Sequence, residues 1–119
     1  MPNPIDLERF RDCSDGTEAG LDQLADLFLA HIVETADALR PAVTEGRAGD
    51  IQSVAHKGAG AAGACGARQL RELLTELEML GAEERLERTA AVFGEIEQEV
   101  ARVRDYLSAA RDNRFAEPR

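Results

Sequence analysis

Apolar residues recur every three or four positions along most of the chain, which is the spacing of one face of an α-helix. Five segments follow this pattern: residues 4–10, residues 17–45, residues 50–66, a fourth segment that ends at Gly81, and a fifth that begins near Ala82. Alternating β-branched runs, which are typical of strands, are absent from the sequence. The pattern therefore predicts an all-α protein.

Polar residues before the second and third segments predict where these helices begin. Asp15 with Glu18, or Ser14 with Thr17, can cap the second helix, and Asp50 can cap the third. Such side chains accept hydrogen bonds from the unpaired N–H groups of a first turn. These residues predict short connections between consecutive helices.

Four substantial helices with short connections predict an antiparallel four-helix bundle, with the short N-terminal helix across one end. The 119 residues fit a single domain, residues 1–119. Its ordered core is expected over about residues 4–110. From Asp112 the sequence is polar and includes Pro118, so we expect a frayed tail.

The composition narrows the classes of function. Charged residues make up 31% of the chain and the net charge is −9, which disfavours broad attraction to nucleic acid or anionic lipid. The N-terminal residues lack the profile of a signal peptide, and no apolar run approaches the ~20 residues of a membrane span. We therefore expect a cytoplasmic protein with reduced Cys13 and Cys65. Two cysteines and two histidines at these spacings match no metal-binding pattern.

Six of the ten glycines lie between Gly46 and Gly66, although this region is predicted to be helical. Each glycine inside a helix costs about 1 kcal/mol relative to alanine. Residues 58–63 match the letters of a dinucleotide-binding loop, but no strand precedes them, so we set that interpretation aside. Close helix packing explains Gly58 and Ala62, which share a face with Ala55. It does not explain Gly60 and Gly63.

Gly60 and Gly63 follow His56 by four and seven residues, which places all three on one face of the helix. Gln52 lies one turn before His56, and Ala59 lies beside Gly60. A histidine beside a surface with almost no side chains is accessible to a large partner. This is what exchange of a phosphoryl group with another protein requires. His31 has no such surroundings and is predicted to be an ordinary surface or boundary residue.

The segment from Ala55 to Ala67 and the leucine-rich helix after it resemble the histidine-containing phosphotransfer (HPt) domain family. Eight residues match the family pattern in register: Ala55, His56, Gly60, Ala61, Ala62, Gly66, Leu77 and Glu78. The resemblance covers about residues 4–110. The lysine that the family usually carries three residues after the histidine is Ala59 here. Lys57 does not replace it, because one residue corresponds to about 100° around the helix.

The resemblance implies a phosphocarrier of a two-component phosphorelay rather than an enzyme. His56 would accept a phosphoryl group from a receiver domain or a hybrid histidine kinase and donate it to another receiver. Histidine suits this role because a ring with an unperturbed pKa of about 6.5 is largely neutral at physiological pH. Glu78 would orient the imidazole.

The receiver would dock on a surface made by Gln52, Lys57, Ala59, Gly60 and Gly63. The chain itself would need no cofactor, because Mg²⁺ is expected on the receiver. We expect a monomer. Two alternatives remain: an HPt-like bundle that binds receivers or kinases without relaying phosphate, and an unrelated helical adaptor.

Overall fold

A computed structural model describes residues 3–116, and this part of the chain contains five α-helices and no strand. The helices are α1 (Leu7–Asp12), α2 (Glu18–Glu45), α3 (Ala48–Ala64), α4 (Arg68–Ala82) and α5 (Thr89–Asp112), with a 3₁₀ turn at Leu86–Arg88 before α5. The predicted all-α class is confirmed. Met1 and Pro2 at the start of the chain, and Pro118 in the tail, lie outside the described residues.

The four long helices form the predicted bundle. Helix α3 packs against α2 and α4, and α5 packs against the same two helices, so that α3 and α5 lie diagonally across the core. Helix α1 lies across one end. The N–H of Asp6 donates to the carbonyl of Gly66 (2.9 Å), and the buried ring of Phe10 meets Phe28 edge to face. The short N-terminal helix thus closes the core where α3 ends and α4 begins.

Helix α2 begins one residue later than predicted, with Thr17 as its N-cap. The Thr17 hydroxyl accepts a hydrogen bond from the N–H of Gly20 (3.0 Å). Asp15 acts one step earlier: its carboxylate accepts bonds from both the hydroxyl and the N–H of Thr17, and these bonds lower the pKa of Asp15. Of the residues proposed as caps, Thr17 therefore caps α2, and Asp15 fixes the position of Thr17.

Helix α3 begins at Ala48, so the prediction that Asp50 caps it is wrong. Gly46 caps the end of α2 in the left-handed conformation (φ 68°), and only Gly46 and Arg47 separate the two helices. This short connection places Asp50 inside the first turn of α3, where its carboxylate pairs with the guanidinium of Arg47 (2.8 Å).

Helix α4 ends at Ala82, one residue after the predicted end at Gly81, whereas α5 does not begin near Ala82. A side chain at Gly81 would lie 2.9 Å from the Ala48 carbonyl oxygen and 2.9 Å from the Gln52 nitrogen, so this glycine allows α4 to approach α3 closely. The chain turns at Glu84, which has a positive φ of 54°, and α5 begins only at Thr89. The glycine that indicated a helix end is thus a packing residue.

The residues after Asp112 are not simply a frayed polar tail. Phe115 is 2% exposed, and its ring stacks on that of Phe10 with 6.3 Å between the ring centroids. The Phe115 carbonyl also accepts a hydrogen bond from the guanidinium of Arg11. The core therefore extends beyond residue 110, because one aromatic residue of the tail returns to α1.

Gly58 serves close packing, as predicted. It is buried, and a side chain there would come within 2.8 Å of Thr35 Cγ2 on α2 and 3.2 Å of Leu74 Cδ1 on α4. Ala55 and Ala62 on the same face are fully buried. Small residues on this face bring α3 close to both neighbours, and this fixes which side of α3 is left exposed.

Candidate functional site

His56 lies on the exposed side of α3, opposite the small residues that pack into the core. Its side chain is 73% exposed, while that of the preceding residue, Ala55, is fully buried. Consecutive residues of a helix differ by about 100° in direction. The packing of Ala55 therefore directs His56 toward solvent.

Glu78 of α4 contacts the His56 ring. Its Oε2 atom lies 2.9 Å from His56 Nδ1, and its side chain is 26% exposed. An ionised carboxylate can only accept a hydrogen bond, so Nδ1 carries the proton in this contact. In the neutral ring the lone pair is then on Nε2. The contact thus directs Nε2 away from Glu78, in a ring that is largely exposed.

A shallow hollow of about 410 Å³ lies beside this pair. Its lining consists of Gly49, Gln52, Ser53, His56, Lys57 and Glu78. Gln52 and Lys57 were predicted to belong to the surface around His56, and both line this hollow. Ser53 was not predicted, although its position three residues before His56 on a helix could have indicated it. Small and polar groups around an exposed ring leave room for a large partner.

Gly60 and Gly63, which were both predicted to form an open surface, differ in the structure. A side chain at Gly60 would meet nothing within 4 Å, so the surface beside His56 is open there. A side chain at Gly63 would lie 2.8 Å from Cδ of Arg71, whose side chain crosses this position from α4. The open surface therefore ends about one turn after His56.

The assignment of Ala59 to the exposed docking surface is wrong. Ala59 is only 8% exposed, because it follows Ala55 by four residues and precedes Ala62 by three. That spacing places it on the face of α3 that packs into the core. A lysine at this position would have to extend from a nearly buried Cα.

The second histidine has different surroundings. His31 on α2 is half-buried, and its Nε2 atom is buried without a hydrogen-bond partner among residues 3–116. Its Nε2 atom is therefore inaccessible, in contrast to the largely exposed ring of His56. Over the same residues, no three His, Cys, Asp or Glu side chains are grouped so that they could hold a metal ion, and no helix has the length and apolar character needed to cross a membrane.

Two comparisons with known proteins found similarity over most of the chain. The family model of the Hpt domain matches residues 23–106, a range that includes both His56 and Glu78. The crystal structure of histidine-containing phosphotransfer protein B (HptB) from Pseudomonas aeruginosa PAO1 is similar to this one, with a TM-score of 0.86 and 25% sequence identity. The similarity covers 95% of this chain and 98% of that chain. No curated protein matches the sequence. The match to the family model covers well over half of the sequence, and the chain belongs to the Hpt domain family.

Proposed function

We propose that His56 is the phosphoacceptor of this chain, and that the protein carries a phosphoryl group between receiver domains, or between a hybrid histidine kinase and a receiver. The observation that supports this most directly is the 2.9 Å contact between His56 Nδ1 and Glu78, made by a ring that is 73% exposed. A tautomer held on one side and an accessible nitrogen on the other are what a nucleophilic imidazole needs.

The transfer step needs few groups from this chain. The lone pair of Nε2 attacks the phosphorus of an aspartyl phosphate, the N–P bond forms, and the bond from phosphorus to the aspartate oxygen breaks. The aspartate leaves as a carboxylate, and the phosphorylated ring keeps its proton on Nδ1. The positive charge that develops on the ring is stabilised by the carboxylate of Glu78. Donation to the next receiver is the reverse of these steps.

The receiver would supply the remaining groups. In phosphoryl transfer most of the catalysis comes from positioning and from cations that neutralise the phosphoryl oxygens. We assign Mg²⁺ and a lysine to the receiver, since the position of the usual lysine of this family is Ala59 here. In this proposal the chain contributes the nucleophile, its orientation by Glu78, and an open surface at Gly60 for docking.

The direct test is to incubate the protein with a panel of phosphorylated receiver domains and to follow transfer of label. We expect label that is lost in acid and kept in base, as for a phosphohistidine. His56→Gln should take up no label and should keep the helix content of the wild type. His31→Gln is the matched control, because it removes the other histidine, and it should be labelled normally. Label that persists in His56→Gln would contradict the assignment.

The same experiment separates this proposal from a bundle that binds without relaying phosphate. The absence of the usual lysine at Ala59 is the feature that favours this alternative. A wild-type protein that binds a receiver but takes up no label from it would support the alternative. A protein that binds no receiver and takes up no label would contradict both.

A further inference from the structure

Three arginines meet around one small cavity at the end of α3. The cavity has a volume of about 190 Å³, and its lining includes Arg9 of α1 together with Arg68 and Arg71 of α4. We call these three residues the arginine cluster. Asp6, Gly63 and Gly66 complete the lining. Residues far apart in the sequence thus place three cationic side chains at one corner of the bundle.

Two glycines allow this arrangement. The side chain of Arg71 lies across Gly63, where a Cβ atom would be 2.8 Å from Arg71 Cδ, and the Nε of Arg9 donates to the Gly63 carbonyl (3.2 Å). Gly66 has a positive φ of 80°, and a side chain there would come within 2.8 Å of the Asp6 carbonyl oxygen and 3.2 Å of Arg9 Cβ. Gly63 and Gly66 therefore form the floor on which α1 and α4 bring their arginines together.

The charges of this cluster are poorly neutralised within the protein. Among residues 3–116, the guanidinium groups of Arg68 and Arg71 form no hydrogen bond and no ion pair. Other arginines of the bundle do: Arg111, for example, contacts carboxylates of α2 at 3.0 and 2.9 Å. Asp6 adds one carboxylate to the lining, which also accepts a bond from the N–H of Arg9 as the cap of α1, so one negative charge faces three guanidinium groups. This corner is therefore locally positive, although the chain as a whole has a net charge of −9.

The cluster lies on the same side of the bundle as His56. Gly63 follows His56 by seven residues on α3, and Arg71 precedes Glu78 by seven residues on α4, so both pairs are two helical turns apart. At 1.5 Å per residue the separation along the helices is about 10 Å. The open surface at Gly60 lies between the two. A protein that docks over His56 would therefore reach the arginine cluster.

We propose that the arginine cluster is an electrostatic docking site for the acidic face of the receiver that exchanges phosphate with His56. The inference rests on the function proposed above. A receiver that presents an aspartate and holds Mg²⁺ must carry several carboxylates at its phosphorylation site, because oxygen ligands hold this ion. Two surfaces of overall negative charge repel each other, so a local group of cations beside the histidine would guide the approach and fix the orientation.

The test compares charge reversals in two places. Arg68→Glu/Arg71→Glu reverses the cluster, and glutamate at the first residue of α4 is compatible with the helix dipole, so the variant should fold. Arg85→Glu/Arg104→Glu makes the same change in net charge on the α4–α5 connection and on α5, outside the site. The receiver that transfers fastest to the wild type serves as the probe, both for transfer rate and for binding of its unphosphorylated form.

We expect the cluster variant to lose about tenfold in the second-order rate constant of transfer at low salt, and no more than about threefold at 0.5 M salt, because salt screens exposed charges. The rate at saturating receiver should change little, since no arginine of the cluster touches the reacting atoms. Arg68→Lys/Arg71→Lys keeps the charge and should restore most of the rate. The control variant should stay within about twofold of the wild type.

The failure of this inference can be distinguished from the failure of the proposed function. Phosphorylation of His56 by a small phosphoramidate needs no docking surface, so the cluster variant should be labelled by it as fast as the wild type. Normal relay with equal rates and equal salt dependence in both double variants would overturn the inference alone. Loss of phosphoramidate labelling in the cluster variant would also overturn it. A wild type that binds no receiver would overturn both proposals.

Discussion

The contact between Glu78 and His56 gives a prediction whose size follows from the structure. Replacing Glu78 with alanine removes the acceptor of the Nδ1 hydrogen bond, and the lost contact is with the exposed ring of His56 rather than with a core residue. A hydrogen bond to a charged group contributes about 1.5–3 kcal/mol. We take the low end, since His56 is 73% exposed and water competes for the same nitrogen. About 1.4 kcal/mol corresponds to a tenfold change in rate.

We therefore expect Glu78→Ala to slow transfer to His56 by about tenfold, at nearly unchanged thermal stability. Glu78→Gln keeps an oxygen that accepts from Nδ1 but loses the charge, and a neutral hydrogen bond is worth about half as much. That variant should be about threefold slower. Glu76→Ala is the matched control on the same helix, because Glu76 contacts Arg88 (3.6 Å) rather than the histidine, and it should stay within about twofold.

The measurement is single-turnover transfer from one phosphorylated receiver at saturating concentration, so that docking does not limit the rate. Nitrogen NMR of the imidazole gives a second readout, because the wild type should hold the proton on Nδ1 and Glu78→Ala should show a mixture of tautomers. A rate within twofold of the wild type in Glu78→Ala would refute the reasoning. So would an unchanged tautomer.

Three further predictions concern the glycines and a cysteine. In a denaturant titration, Gly60→Ala should stabilise the fold by about 0.5–1 kcal/mol, because the new methyl group meets no other atom. Gly58→Ala should destabilise the fold by about 1 kcal/mol, because its methyl group meets Thr35. Equal effects of the two substitutions on stability would contradict this difference in packing. Gly60→Leu should fold but should slow transfer at least tenfold by blocking the surface beside the phosphoacceptor, and a normal rate would exclude docking there. Burial, with a smaller effect of Cys13, raises the pKa of the Cys65 thiol from 9.0 to about 11. Because the thiolate is the reactive form, Cys65 of the native protein should be alkylated at pH 8 about 100-fold more slowly than in the unfolded chain. Similar alkylation rates in the two states, measured by mass spectrometry, would contradict this.

The sequence predicted the helices well where periodicity is strong, and poorly where glycines and the tail depend on tertiary contacts. Helix α2 has one continuous apolar face and was placed to within one residue. Gly81 indicated the end of α4 to within one residue, but only the position of α3 shows that this glycine also allows a neighbouring helix to approach. Phe115 was missed for a similar reason: a single aromatic residue in a polar segment has no period, and its partner, Phe10, lies at the other end of the chain.

For the site, the spacing along α3 indicated His56 and Gly60, and the similarity to the HPt pattern indicated Glu78. The structure brings these three together. The spacing could not show that Ala59 is buried whereas Gly60 is exposed. The two positions lie at the boundary between the buried and exposed faces of α3, and that boundary depends on how α3 is rotated against its neighbours. The spacing also could not show that Arg71 of the next helix covers Gly63.

The glycines of α3 cost the helix about 1 kcal/mol each, so each needs a reason for its presence. Gly58 has one in the core, where Thr35 and Leu74 leave no room for a methyl group. Gly63 has one at the surface, where the side chain of Arg71 takes the space. Gly60 alone among these three has no neighbour within 4 Å, so nothing in the bundle itself accounts for the absence of a side chain. Gly49 of α3 and Gly94 of α5 are equally open, so open space alone does not identify a contact; what distinguishes Gly60 is its position one turn after the exposed ring of His56. The proposed receiver would therefore meet no side chain at Gly60, and Gly60→Leu tests whether it docks there.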